Sequence, residues 1–441
     1  MTPQSNFMVL APIRADRIGP LNSLLESMTG LPGMANPKNP IVPFERFGTI
    51  HYARFVILDD RTLDDLAHFG VPIPDFQPSL AFLGDCDGPA ETCLEHLSNG
   101  AGTGLRQIFS HCVGFDTNSD LLTWMKDHSR PAAAAYVNWV GRTVRQIREE
   151  AALRDHLLTY LGAHPRAGDD LQGIRDDLIA SVRSEQETGK LTLSPPEPTP
   201  FGWRLRNLLH LAIVPTALLV LIIILIAWPL LLVPLVLAVV IFAWLLRHYE
   251  KTEPEIIVRP SPEHGVMLAR LEDHDVTNQF TVVGSIKPSL FRRVTLTAIL
   301  WLIDYGAHHI YNHGRLGRIQ TIHFARWAFL DGKQRVLFAS NYDGSLESYM
   351  DDFINKVGWG LNLVFSNGVG YPRTRWLVRD GSKSEQQFKY TLRRHQVPTQ
   401  VWYKAYPGLT AFDIARNTRV REGVEQTSMI DDEIRQWLRD L

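Results

Sequence analysis

The sequence predicts an α+β fold made of two tandem copies of a βαββαβ unit, with an apolar hairpin inserted between them. Three observations predict it. An ungapped internal repeat runs through both halves, each half shows the same order of strand and helix signals, and 36 uncharged residues, Leu211 to Leu246, lie between them.

The repeat comes first because it sets the boundaries of everything else. Phe82 to Asp116 aligns onto Phe338 to Pro372 with twelve identities in 35 positions, including Asp87-Gly88 with Asp343-Gly344 and Gly104-Leu105 with Gly360-Leu361. Upstream, Thr49-Ile50-His51-Tyr52-Ala53-Arg54 matches Thr321-Ile322-His323-Phe324-Ala325-Arg326. Downstream, His128, Pro131, Tyr136, Gly141 and Thr143 recur at the spacing of His395, Pro398, Tyr403, Gly408 and Thr410.

In the second copy, β-branched content predicts a strand over 280–287, and length and apolar spacing a helix over 292–313. Strands over 321–330 and 335–341 flank Asp331-Gly332, a hairpin turn in which glycine accepts positive φ. Asp343-Gly344-Ser345 opens a helix over 346–357 by capping its free N–H groups. The apolar run 361–369 reads as the last strand. In the first copy the hairpin carries sixteen extra residues between Asp59 and Ser79. This element order is the ferredoxin-like one. The chain therefore divides into a first copy over 1–154, a helical and proline-rich connector over 155–203, the hairpin over 204–250, a connector over 251–279, a second copy over 280–425 and a terminal helix over 426–441.

A bilayer-spanning helix needs about 20 apolar residues, so the inserted run is nearly two spans long. Pro229 and Pro234 break it near the middle. Arg204 and Arg206 before it, and Arg247 with Lys251 after it, place both ends on the cytoplasmic side under the positive-inside tendency. A hairpin turned at these prolines has one arm over 211–227 and a shorter one over 235–246, which fits a re-entrant loop. Starting the second arm at Pro229 makes it long enough to span. Two sheets burying their apolar faces together also require both copies on one side of the membrane. The expected localisation is thus a membrane, with both globular copies cytoplasmic and the bilayer as partner through 211–246.

Composition excludes several classes. The net charge is −2, and no phosphate loop, dinucleotide fingerprint or nucleic-acid motif is present. No basic stretch followed by an apolar one opens the chain, so no secretory signal is expected. Cys86, Cys93 and Cys112 suggest free buried thiols in a reducing compartment. Charge is unequal: residues 280–421 hold 20 Lys and Arg against 9 Asp and Glu, and residues 7–154 hold 13 against 17. The basic second copy would favour an anionic leaflet or substrate.

On duplication and element order the chain resembles the dimeric α+β barrel superfamily, whose members with tandem halves include the DyP-type peroxidases and chlorite dismutase-like proteins. The resemblance covers most of both copies and bears on fold more than on activity. It implies an intrachain α+β barrel, with haem as the candidate cofactor. The DyP-type motif Gly-x-x-Asp-Gly, whose aspartate acts on peroxide, is matched by Gly84-Asp85-Cys86-Asp87-Gly88, which would give Asp87 that role. Its partner Ser340-Asn341-Tyr342-Asp343-Gly344 gives both aspartates a second reading, as helix caps at a strand-to-helix turn. No motif singles out a proximal histidine; His323 and His395 are the cofactor-binding candidates, with Arg54 a partner for a propionate.

Residues present in one copy are the better catalytic suspects, because one site in a pseudo-symmetric body needs asymmetry. Asp273 and His274, in Glu272-Asp273-His274-Asp275, set an imidazole beside carboxylates, suited to general-base work or to an exposed connector. With Arg326, Asp343 and Asp87 they form the candidate catalytic set. His309 and His313 are spaced i,i+4 and suit a metal pair, or a helix C-terminus. Two functions follow as expectations: a membrane-tethered oxidoreductase, peroxidase-like or cofactor-free, on an apolar or lipid-derived substrate, or a non-catalytic binder of such a molecule. Convergence of His274, Arg326 and Asp343 on one pocket would favour the first. Nucleic acid is not an expected partner, and the sequence leaves the oligomeric state open.

Overall fold

The computed structural model describes residues 1–116, 118–164 and 170–441. Its first half runs β1 (Gln4–Pro12), α1 (Ile18–Glu26), β2 (Thr29–Leu31), β3 (Met34–Ala35), β4 (Ile50–Leu58), β5 (Ser79–Asp87), α2 (Ala90–Phe109), α3 (Leu121–Asp127) and β6 (Ala134–Val137). The connector contributes α4 (Val144–Ala163), α5 (Leu171–Glu187), the apolar α6 (Phe201–Ala227) and α7 (Leu232–Thr252), and α8 (Pro262–Ala269). The second half runs β7 (Thr277–Ser285), α9 (Leu290–His309), β8 (Ile322–Leu330), β9 (Arg335–Asp343), α10 (Leu346–Phe365), β10 (Thr374–Arg375), β11 (Arg379–Asp380), α11 (Glu385–His395) and β12 (Thr399–Lys404). Helices α12 (Ala411–Glu425) and α13 (Asp431–Leu438) close the described chain.

The architecture is mixed α+β. A six-stranded sheet has the order β1-β5-β4-β12-β3-β2 and a four-stranded sheet the order β6-β8-β9-β7, with β10 and β11 a separate small ribbon. Each main sheet takes its key strand from the other half of the chain. β12 lies antiparallel to β4, with Trp402 opposite Arg54, and β6 lies antiparallel to β8, with Ala135 opposite Arg326. The last strand is therefore not the apolar run 361–369. That run finishes α10, whose Leu361 and Val364 face the core at helical spacing, and it ends in a turn. Short apolar runs do not distinguish a strand from a buried helix end.

Two cores form on the helical sides of the sheets. Val401 and Tyr403 of β12 are buried among β1, β4, β5, α1 and α2, while Ala134 and Tyr136 of β6 are buried among β7 to β9, α9 and α10. A third cluster (Met8, Val56 and Leu83 against Val283, Leu330 and Leu337) joins the sheets face to face. Alternation along each strand produces this: successive side chains point to opposite faces, so β1, β4 and β5 serve two cores at once. Helices α4 and α12 lie side by side, extended by α5 and α13 around Leu153, Leu178, Val420 and Trp437.

The inserted run forms two helices, Phe201–Ala227 and, counting its short 3-10 start, Pro229–Thr252, each long and apolar enough to cross a membrane. By length alone the second, at 1.5 Å per residue, exceeds the hydrocarbon thickness of a bilayer. The chain turns at Trp228-Pro229, and Pro234 sits in the first turn of α7, where no donor is lost. Beyond its apolar segment α7 is tied down by two buried carboxylates. Glu250 accepts from the backbone N–H groups of Trp376 and Leu377 at 3.0 and 2.8 Å, and Glu253 meets Arg292 at 2.6 Å and Lys287 at 3.0 Å. Burial pulls the Lys287 ammonium down to about 8, against the attraction of Glu253.

Residues 1–200 expressed alone should fail to fold, because β4 would lose its neighbour β12 and expose a long apolar edge. Co-expression with residues 253–441 should restore a soluble complex that runs as one species in gel filtration. Two halves that each fold alone would contradict the exchange.

Candidate functional site

The polar side chains between the sheets form two layers. In the first, His51 of β4 places Nε2 2.9 Å from Asp87 Oδ1 and Nδ1 3.0 Å from the Tyr406 hydroxyl. Asp87 Oδ2 accepts from the Val144 N–H, the first of α4, at 2.9 Å. The second half repeats the arrangement: His323 Nε2 lies 2.7 Å from Asp343 Oδ1, and Asp343 Oδ2 accepts from the Ala411 N–H at 2.8 Å. Thr143 and Thr410 complete capping boxes on the same two helices. Each aspartate thus closes a strand, orients a histidine and binds a free helix N–H. Gly88 and Gly344 both hold a positive φ and make the turn that lets it do so, a backbone conformation that glycine adopts without a Cβ penalty.

The two histidines differ. His323 Nδ1 has no hydrogen-bond partner among the described residues, and the His323 side chain borders a cleft of about 30 Å³ shared with His51, Trp139, Arg142 and Tyr406. The Arg142 guanidinium stacks 4.6 Å from the Trp139 ring. Burial raises the Tyr406 and Tyr52 hydroxyls well above the ordinary phenol range, so both are protonated near neutrality. A histidine oriented by a carboxylate, with its other nitrogen unpaired and a cleft beside the side chain, is an arrangement able to take a proton.

The second layer is a reciprocal pair of arginines. Arg54 donates to the Phe280 and Ser340 carbonyls, both at 3.0 Å, to Thr281 Oγ1 at 2.9 Å and to Asn341. Arg326 donates to the Phe7 and Gly84 carbonyls at 2.7 and 3.0 Å and to Asp85. Each guanidinium is rooted in one sheet and bonded to the backbone of the other. Asn341 stands in the second half where Asp85 stands in the first, so two cations share one carboxylate. Burial lowers the Arg54 guanidinium to about 9, with Asp85 opposing. The space at this centre is about 10 Å³.

The candidate catalytic set does not converge. His274 is exposed and bonds the Arg270 carbonyl at 3.0 Å, and Asp273 sits at φ 58° in the turn before β7, accepting from Asn278. Arg326 lies in the arginine layer, and Asp87 and Asp343 belong to separate histidines in the other. Of the cofactor candidates, His323 and Arg54 fall in these two layers. His395 is buried behind β7, with Nδ1 2.8 Å from the Thr391 carbonyl and Nε2 unpaired, beside a cavity of about 50 Å³.

The spaces beside Arg54, His323 and His395 fall far short of the roughly 300 Å³ at which ligand pockets begin, so these residues do not fit a haem. His309 and His313 do not share a helix face, because α9 ends at His309. His309 Nε2 bonds His210 of α6 at 2.9 Å, and His313 bonds Asn312 at 2.5 Å. Among the described residues no three His, Cys, Asp or Glu side chains group as a metal site. Tyr406, Trp139 and Arg142 were not singled out by the sequence. The aligned aromatic pair Trp139 and Tyr406 was the available signal. No family model, curated protein or solved structure matches the chain.

Arg326→Met leaves Asp85 buried with half its partners and should cost about 3–5 kcal/mol in chemical denaturation. Arg293→Gln, on the surface, should stay within about 0.5 kcal/mol. Equal effects of the two changes would remove the arginine layer from the fold's support.

Proposed function

We propose that this chain is a membrane-anchored protein whose cytoplasmic body binds an apolar or lipid-derived molecule at the bilayer surface. One observation carries the reading. The polar centres between the sheets are nearly filled, whereas a groove of about 740 Å³ lies outside, along α9 and the turn between β8 and β9. Leu290, Val294, Trp301 and Leu302 line it, with Arg293 and Lys333 at its edge. An apolar floor with a cationic rim suits an acyl chain with an anionic head.

The anchor is the α6–α7 hairpin, whose apolar arms bury no side chain but Leu246. Arg204, Arg206, Arg247 and Lys251 support a cytoplasmic body. Matching strand exchange, matching helix caps and helix kinks at the aligned positions Ala101 and Val357 support reading the halves as duplicated ferredoxin-like units facing each other.

Detergent-purified protein should yield co-purifying lipid by mass spectrometry, reduced several-fold in Val294→Glu/Leu302→Glu at unchanged gel-filtration position. A bound haem band in the absorbance spectrum, or lipid retained in that variant, would count against the proposal.

A further inference from the structure

We infer that α9 lies in the plane of the near bilayer interface, between the arms of the hairpin, and that the molecule bound along it is anionic phospholipid of the host leaflet. This rests on the reading of α6 and α7 as membrane-inserted.

The hairpin is splayed. No side chain of α6 is buried, and α7 buries only Leu246 and Glu250, near its base. Each arm is seated on a different end of α9. Phe242 and Tyr249 of α7 meet Phe291 at 5.4 and 5.2 Å. On the other arm the Tyr305 hydroxyl donates to the Leu211 carbonyl at 2.8 Å, next to the His210–His309 bond. Phe291 and Tyr305 are separated by about 21 Å of helix. Helix α9 is the crossbar of an A-shaped frame.

The crossbar also sets a depth. From Leu211, where α6 touches it, to Ala227 at the tip is about 24 Å of helix, less than the roughly 30 Å hydrocarbon core. A crossbar held clear of the membrane would lessen that depth further. With α9 in the near interface the tip lies deepest, still short of the far side, and Trp301 and Tyr305 occupy the level where aromatic residues collect.

The outward face of α9 has the matching chemistry. Leu290, Val294 and Leu302 are 72%, 58% and 57% exposed, and with Ala298 and Trp301 they form one stripe at helical spacing. Arg292, Leu296, Ile299 and Leu300 take the inward side. Helix α1 holds the same place after β1 and turns Gly19, Pro20, Ser23 and Glu26 outward, with no hairpin beside it. The fold itself therefore does not require an apolar stripe at this position. Arg293 and Lys333 flank it where headgroup phosphates would lie.

The test is spin-label accessibility on the full chain in vesicles of phosphatidylcholine with and without phosphatidylglycerol. Labels replace Val294→Cys, Leu302→Cys, Glu26→Cys on α1 and Val220→Cys in α6; the native thiols are buried. Labels at 294 and 302 should favour oxygen over a water-soluble nickel chelate at shallow depth, the label at 26 the reverse. Phosphatidylglycerol should deepen 294 and 302, and Arg293→Gln/Lys333→Gln should abolish that deepening. Water-exposed labels at 294 and 302 with 220 immersed would overturn the inference and leave the anchor standing. A water-exposed 220 would overturn the anchor with it. Dipolar broadening between labels at 302 would assign the face to a second copy and also overturn the inference.

Discussion

Arg54 and Arg326, each rooted in one sheet and bonded to the backbone of the other, mark the constraint on which this structure depends: neither half of the chain is complete without the other. Strand exchange states the same dependence in backbone hydrogen bonds, since β12 fills the edge of β4 and β6 the edge of β8. A guanidinium buried between sheets is costly unless nearly every N–H finds an acceptor. The carbonyls of Phe280, Ser340, Phe7 and Gly84 supply those acceptors only when the sheets face each other in this register. A segment inserted between such halves must leave and return on one side of a membrane. The hairpin follows from the interlock.

Much of this was legible in the chain. The repeat located both halves, and Asp-Gly at 87–88 and 343–344 was readable as a turn because it occurred twice, but the aspartates bind the ends of the distant helices α4 and α12 and not the helices that follow them. The fourth strand was not legible. Leu361–Val369 has the composition of a strand, yet Leu361 and Val364 also fit a helical core face, and composition cannot choose. The true strands β6 and β12 are short and pair with the opposite half, so no local pattern announces their partners. The helix predicted to reach His313 ends at His309, which separates the histidine pair proposed for metal. The outward stripe of α9 is illegible in the sequence for a related reason: apolar spacing identifies a face without saying whether protein or lipid covers it.

The site was legible in part. His51, His323, Arg54, Arg326, Asp87 and Asp343 do gather between the sheets, but they are largely committed to each other, to helix ends and to backbone carbonyls. Asymmetry between the halves picks out His274, which is exposed. It is more informative at Asp85 against Asn341, at Tyr406 against Trp139, and at α9 against α1. The first two tune a nearly filled interior; the third changes what the surface can touch.

The central proposal is that two interlocked halves stand on one side of a bilayer, above a hairpin that inserts into it. Membrane-impermeant maleimide applied to sealed vesicles tests it directly, with single cysteines in place of Glu45 in the first half, Glu422 in α12, and Trp228 at the hairpin turn. The account predicts that positions 45 and 422 react from the same side and that position 228 does not react from that side. Labelling of 45 and 422 from opposite sides would contradict it, because strands cannot be exchanged across a membrane.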